Sequence, residues 1–443
     1  MIRRLAIIFL LLSGICVAQD TSRMEQVIQS YVAAKQFMGS VLVAKGDQII
    51  LSKGYGFANL QWQIPNSPES KFRLGSVTKQ FTAACILMLE ERGKLKIDEP
   101  IKKYMPDAPA AWDKITFFHL LTHTSGIPSF TGFADYASTE AIATTPEKLV
   151  ARFRDKPLEF QPGEKWNYSN SGYVLLGYLI EKISGEPYSQ FVQENIFTPL
   201  GMKDSGYDSN KAIIPHRDSG YTPNDKGELQ NAGYIDMTIP LSAGALYSTT
   251  LDLLKWEQGL FGGKLISAAS LQKMITPFKS DYAFGLAVRD VKGHKLIEHG
   301  GGIEGFNTEL AYYPEEKLTV VVLSNQNTGA TGDIAMKLAS VTRGEPVVLV
   351  SERKEIQVSP AVLEKYVGTY ELTPNFSIVM TVEGGHLMTQ ATGQPKFPLF
   401  AESETKFFLK VVDAEVEFVK NDKGDVDSLI LHQGGRDVKG MKK

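Results

Sequence analysis

Cysteine is almost missing: the 443-residue chain has two, Cys16 and Cys85. Cys16 lies in a segment that reads as removable, so the mature chain has no intramolecular disulfide and takes its stability from a large core. Cys85 sits four residues after Phe81 on an apolar helical face and reads as a buried structural thiol. A charge excess is missing as well. Net charge is −3 with no long run of one sign, which excludes the basic patch of a nucleic-acid binder. Past the N-terminus no apolar run reaches membrane length. No Gly-x-Ser-x-Gly occurs, which removes the α/β-hydrolase elbow. His119 and His123 have i, i+4 spacing, but Leu120 replaces the glutamate of His-Glu-x-x-His and no third ligand follows. Neither metal nor cofactor is expected, and both histidines read as core or helix-end residues.

What is present begins with an export signal. Arg3 and Arg4 precede an apolar stretch from Leu5 to Leu12, and Cys16-Val17-Ala18 offers small residues before a cut between Ala18 and Gln19. A lipoprotein signal acylated on Cys16 is disfavoured by the bulky Ile15, and an uncleaved anchor by the short run. The expected location is periplasmic or secreted, with no membrane span after cleavage. Composition (43% hydrophobic, 22% charged) is that of a globular protein, and the length implies two domains.

Helical spacing covers residues 23–36, 78–92, 115–122, 172–184, 248–261 and 334–341, and residues 124–146 read as a long surface loop. Period-two alternation predicts strands at 40–44, 48–54, 283–290, 295–298, 305–313 and 318–324. Strands near both ends with helices between them predict an α+β fold around one sheet. Beyond a charged linker the pattern is almost purely strand from Tyr366 to Gly440, with turns such as Glu383-Gly384-Gly385, which predicts an up-and-down barrel. The expected boundaries are 1–18 signal, 19–345 first domain, 346–355 linker and 356–443 barrel.

Ser-x-x-Lys occurs at Ser76/Lys79, Ser270/Lys273, Ser351/Lys354 and Ser403/Lys406. Only Ser76 has an apolar run and Gly75 before it and a long helix after it. On that helix Ser76 and Lys79 share a face, and a desolvated lysine can take the serine proton. The bland alternative for Ser76 is a helix cap. Tyr168-Ser169-Asn170 offers a second buried base, or merely an aromatic turn into a helix. Glu298-His299-Gly300-Gly301-Gly302 follows a strand, and its glycines permit close backbone approach.

In this order, Ser-x-x-Lys, Tyr-x-Asn and His-x-Gly resemble the penicillin-recognising serine hydrolases: class C β-lactamases, D-alanyl-D-alanine carboxypeptidases and related esterases and D-amino-acid peptidases. Leu120-Leu121-Thr122-His123-Thr124-Ser125-Gly126, Pro162-Gly163 and Ser242-Ala243-Gly244 extend the likeness over residues 24–343. The resemblance implies the β-lactamase/transpeptidase-like fold, an antiparallel sheet with helices on both faces plus a helical subdomain. It implies Ser76 as acylated nucleophile and Lys79 with Tyr168 as proton shuttle, without saying which is the base. Asn170, His299 and Gly301 would bind substrate, and the backbone N–H groups of Ser76 and Gly302 would form the oxyanion hole.

One position departs from the family. Where β-lactamases usually have lysine, this chain has His299, mostly neutral at pH 7 with an ordinary pKa of ~6.5. That favours esters, amides or peptides with less demand for a carboxylate. Glu304 reads as a surface carboxylate or a contact for a substrate amine. Residues from about 355 on, through Val367-Gly368-Thr369-Tyr370-Glu371, resemble a lipocalin-like domain that caps the site, binds an apolar ligand, mediates assembly or is structural. The leading expectation is a serine hydrolase cleaving amide or ester bonds of small molecules or peptides. The alternatives are a true β-lactamase or carboxypeptidase, a penicillin-binding sensor with slow deacylation, and a lipid-binding module with an inert hydrolase half.

Overall fold

A computed structural model describes residues 21–421, 423–433 and 436–443. The expected export signal lies outside them. Two compact units emerge, one holding Tyr31–Ala335 and the other Ser22–Ser30 with Met336–Lys443.

The first unit is organised on a six-stranded antiparallel sheet in the order β3-β4-β5-β6-β1-β2, where β1 is Gly39–Lys45, β2 Gln48–Tyr55, β3 Ala287–Val291, β4 His294–Ile303, β5 Phe306–Tyr313 and β6 Leu318–Ser324. Val41 to Ala44 and Val320 to Leu323 are fully buried, so the middle strands are continuous hydrophobic runs. The edge strand β2 is mostly solvated.

Two strands differ from the sequence pattern. β3 begins at Ala287 rather than 283, because Gly285 takes a left-handed φ of +69° and a Cβ there would lie 2.5 Å from the Lys79 carbonyl. β4 does not stop at Glu298. It runs through all three glycines to Ile303, paired with β5 from Gly300↔Glu309 to Gly302↔Asn307. β3 pairs with it only as far as Glu298, so its last five residues have one open edge.

Of the helices α1 (residues 21–33), α2 (Thr78–Glu91) and α3 (Phe117–Leu121), α2 was expected to bury one face, yet every residue through Leu89 is buried. A helix enclosed on all sides belongs to the centre of its domain. Gln80 Oε1 accepts from the Trp256 indole at 2.9 Å while its Nε2 has no partner, and Thr82 donates to the Ser242 carbonyl at 2.7 Å. The thiol of Cys85 is fully buried, which raises its pKa and keeps it protonated. The helix α4, Asn170–Ser184, starts at an Ser169 cap that accepts from Gly172 N–H and ends at left-handed Gly185.

In the second unit, Arg23 on the N-terminal helix pairs with Glu352 at 2.6 Å. Eight antiparallel strands from Gly368–Thr373 to Arg436–Lys442 close into a barrel. Its interior is filled: Tyr366 stacks on Phe418 at 4.1 Å between ring centres, and Phe407 meets Phe418 edge-on at 5.7 Å.

All four tryptophans, Trp62, Trp112, Trp166 and Trp256, lie in the first unit. Phe81 on α2 stacks on Trp256 at 4.0 Å. We expect Phe81→Ala to cost about 3–5 kcal/mol, read as a lower urea midpoint of tryptophan fluorescence.

Candidate active site

Ser76 lies in the 3-10 turn Gly75–Val77 that feeds directly into α2, and it is partly exposed. One turn on, Lys79 is fully buried. Its Nζ lies 2.9 Å from each of three oxygens: Ser76 Oγ, Asn170 Oδ1 and the Ala243 carbonyl. The other Ser-x-x-Lys pairs have different surroundings. Ser270 is bonded to its own helix cap, Ser267, and Lys273 to Glu90.

Burial holds the Lys79 amine well below the ordinary lysine range. A neutral amine has two N–H donors and one lone pair. The Asn170 and Ala243 oxygens can only accept, so they take both donors. In that neutral form the lone pair would face Ser76, 2.9 Å away, and could accept from its hydroxyl. Tyr168 packs its ring 4.9 Å from Lys79 Nζ, and Ser76 is the side chain that favours its ionised form. Burial raises its pKa and keeps it a phenol. Both groups are thus pushed toward their neutral forms, the arrangement opposite to a tyrosinate–ammonium pair.

Asn170 is the first residue of α4, and its Nδ2 donates to Thr131 Oγ1 at 3.1 Å. That contact corrects the reading of 124–146 as a surface loop. Thr124, Ser125, Ile127 and Phe130 are buried. Ser129 accepts from Asn170 N–H at 3.1 Å, Ser169 donates to the Ile127 carbonyl at 2.9 Å, and Ser171 to the Pro128 carbonyl at 2.7 Å. The hydroxyl-rich composition that looks solvated is used to fasten the loop to the Tyr168–Asn170 turn. The loop also brings Phe130, Thr131 and Tyr136 to a cavity of about 90 Å³ that Ser76, Asn170, Gly302 and Glu304 share.

The glycines of β4 have a steric purpose. A Cβ on Gly301 would lie 2.0 Å from the Leu74 carbonyl and 2.3 Å from Thr308 Oγ1. A Cβ on Gly75, which has φ +52°, would lie 2.9 Å from the Gly302 nitrogen. Only a strand without side chains can bring its open edge this close to the serine turn.

His299 is 8% exposed and does not line the cavity. Its Nδ1 lies 2.6 Å from the Gly300 carbonyl and its Nε2 2.9 Å from Tyr282 Oη. The carbonyl only accepts, so Nδ1 carries the proton and Nε2 accepts from the tyrosine. Burial lowers its pKa to about 3. The imidazole is neutral.

Sequence reasoning missed two residues that hold these parts together. Tyr282 precedes the strand expected from 283 and has no sequence signal of its own. His123 sits in a left-handed conformation, φ +57°, and packs against Tyr168, Tyr282 and Tyr173 at 4.3, 4.6 and 5.0 Å between ring centres. Its Nδ1 accepts from Ser169 N–H at 3.2 Å, while the His119 ring is engaged with Thr116. The two histidines therefore do not converge on a common ligand. The phrase Thr122-His123-Thr124-Ser125 is the signal the sequence offers, and the reading of His123 as a core histidine fits its burial but not its contacts with the three tyrosines.

The family described as beta-lactamase matches residues 24–341. The chain belongs to the beta-lactamase family. It is a serine hydrolase, the class that opens amide and ester bonds through an acyl-enzyme. A domain of unknown function (DUF3471) matches residues 352–442. Penicillin-binding protein 4* of Bacillus subtilis (strain 168) is 31% identical over 438 residues, 92% of this chain and 95% of that protein. The octameric penicillin-binding protein homologue from Pyrococcus abyssi has a TM-score of 0.68 at 27% identity, covering 95% of this chain and 99% of that one. A D-stereospecific amidohydrolase from Streptomyces sp. shares the fold, with a TM-score of 0.62 at 24% identity over 72% of this chain and 98% of that one. Among the described residues no helix is long and apolar enough to cross a membrane.

Two measurements check this geometry. Gly301→Ala must move the Leu74–Ser76 turn, and we expect about a hundredfold lower kcat on p-nitrophenyl acetate with the fold retained by circular dichroism. His299 binds its proton only near pH 3 when folded but near 6.5 when unfolded. The unfolded chain therefore holds more protons between those values, and His299 makes stability fall as pH drops from 6.5 toward 3. We expect the Tm of His299→Gln to depend less steeply on pH in that window than wild type.

Proposed function

We propose that Ser76 is the nucleophile of this hydrolase and that neutral Lys79 is its general base. The observation that carries the reading is the triple contact of Lys79 Nζ, in which two partners can only accept and the third is Ser76 Oγ. The Ser76 proton passes to Nζ as Oγ attacks a carbonyl carbon. The negative oxygen that forms is met by the backbone N–H groups of Ser76 and Gly302, a donor of this kind contributing roughly 3–4 kcal/mol in the transition state. When the tetrahedral species collapses, the C–N or C–O bond breaks and the leaving group takes the proton from Lys79 through the Tyr168 phenol. Water then attacks the acyl carbon, returns a proton by the same route and frees Ser76. One hydrogen of Asn170 Nδ2 remains for the substrate amide after Thr131 takes the other.

The substrates proposed are small amides, peptides or esters. D-amino-acid derivatives lead this group, since a D-stereospecific amidohydrolase shares the fold and a penicillin-binding protein is a relative. Neutral His299 supplies no fixed cation beside the scissile bond, which disfavours β-lactams and terminal D-alanyl carboxylates. The chain is exported through a signal cut after Ala18. Its barrel is lipocalin-like in closure, and the packed Tyr366, Phe407 and Phe418 favour a structural role over an apolar-ligand bag.

The test is intact-mass analysis with p-nitrophenyl acetate, a D-amino-acid amide and a chromogenic cephalosporin in parallel. We expect turnover of the first two, a transient acyl mass, and complete loss of both in Ser76→Ala. A persistent acyl mass without turnover would mean a sensor. No acyl mass in wild type, or one retained in Ser76→Ala, sinks the assignment.

A further inference from the structure

A second cavity, of about 330 Å³, adjoins the one at Ser76, and Ile235 and Glu304 line both. Its own walls include Arg73, Arg217, Asp218 and Gly233. Nothing in the proposed acyl-transfer scheme uses these residues.

The charges of this cavity do not cancel. The Asp208 carboxylate, fully buried, takes Arg73 Nε on one oxygen and Arg217 Nη1 on the other, each at 2.7 Å. Two guanidinium groups thus share one carboxylate. Arg73 spends only its Nε on that pair and rests its guanidinium 5.9 Å from the Phe306 ring, another wall of the cavity. Arg217 spends only Nη1, on Asp208 and the Ser209 carbonyl. The remaining guanidinium nitrogens make no hydrogen bond among the described residues. A pair of arginines fixed at one end, with free forks at the other, is suited to a planar anion with two oxygens.

The acidic groups nearby do not reverse this sign at neutral pH. Asp218 is 6% exposed, neither of its oxygens has a partner within hydrogen-bond distance, and Ser70 is the group that most favours its ionised form. Burial raises its pKa to about 8, so at pH 7 it is largely a protonated donor. Glu304 stands between the cavities with one buried, unpartnered oxygen. Burial and the neighbouring Glu140 push it toward the neutral form, and Arg73 pulls it back.

We propose that this cavity is a carboxylate-binding subsite, in which Arg73 and Arg217 hold the free carboxylate of a peptide-like substrate whose scissile bond lies at Ser76. The proposal rests on the acyl-transfer reading and deepens it. The site has no cation at position 299 beside the bond to be cut, and it has two beyond Glu304. The carboxylate it reads therefore sits away from the scissile bond rather than next to it.

Calorimetry on the Ser76→Ala protein tests this without turnover. The probes are N-acetylated mono-, di- and tripeptides of D-alanine, each as free acid and as carboxamide. A charge-assisted hydrogen bond contributes enough that we expect the acid of the best-fitting length to bind about tenfold or more tighter than its amide. Gly233 has open space where a Cβ would go. Gly233→Asp in the same background adds a carboxylate to the cavity wall, where a Cβ has room, and should erase the preference for acid. Arg217→Gln should reduce it as well, and tryptophan fluorescence shows whether each variant is folded. Equal binding of acid and amide at every length overturns the proposal, as does an acid preference that survives in both folded variants. Hydrolysis of neutral p-nitrophenyl acetate by the wild-type chain is followed separately. Its absence would remove the acyl-transfer reading, while the acid–amide comparison would still decide the subsite.

Discussion

The site depends on a lysine kept dry. Lys79 enters the centre of its domain on a helix buried through Leu89, and among the described residues no carboxylate pairs with it. A paired carboxylate would hold the proton on the amine. Two uncharged acceptors and a hydroxyl instead let desolvation drive the proton away. The same dryness acts on Tyr168, Tyr173, Tyr282, His123 and His299, in each case toward the neutral form. The region around Lys79 is therefore a neighbourhood of uncharged proton carriers, in which moving one proton meets little electrostatic resistance.

Position is supplied by what is missing from the strand β4. Three consecutive residues without side chains let the strand edge lie against the serine turn, and Thr308 fastens the arrangement by donating to the Leu74 carbonyl at 2.8 Å. Around this contact, His123 links the Tyr168–Asn170 turn to Tyr282, and Tyr282 links it to His299. Three segments far apart in sequence are thereby held by one cluster of rings.

Much of this was legible beforehand, for identifiable reasons. Strands such as Leu318–Ser324 declare themselves by β-branched runs, and the barrel by regular turns between alternating segments. Ser76 and Lys79 stood out from three other spacings through the apolar run and helix around them. The loop at 124–136 was illegible because serine and threonine look the same in sequence whether they bond to water or to backbone. Arg73, Arg217 and Asp208 come from a short strand and an irregular stretch. Only tertiary structure shows that two of these charges share the third. β4 was cut short because glycine weakens a strand by propensity, a preference that its pairing with β5 overrides.

The pairing of β1 with β6 has a consequence for how the chain acquires its shape. Val41 lies opposite Val322, and Gly39 opposite Ser324. The strand that belongs in the middle of the sheet is synthesised among the first, and its neighbour almost at the end of the domain. Nothing local can complete the sheet, since β1 has only the solvated hairpin arm β2 until then. Contacts of such long sequence separation make closure slow. On this register the sheet stays incomplete until the last strand of the domain has been made.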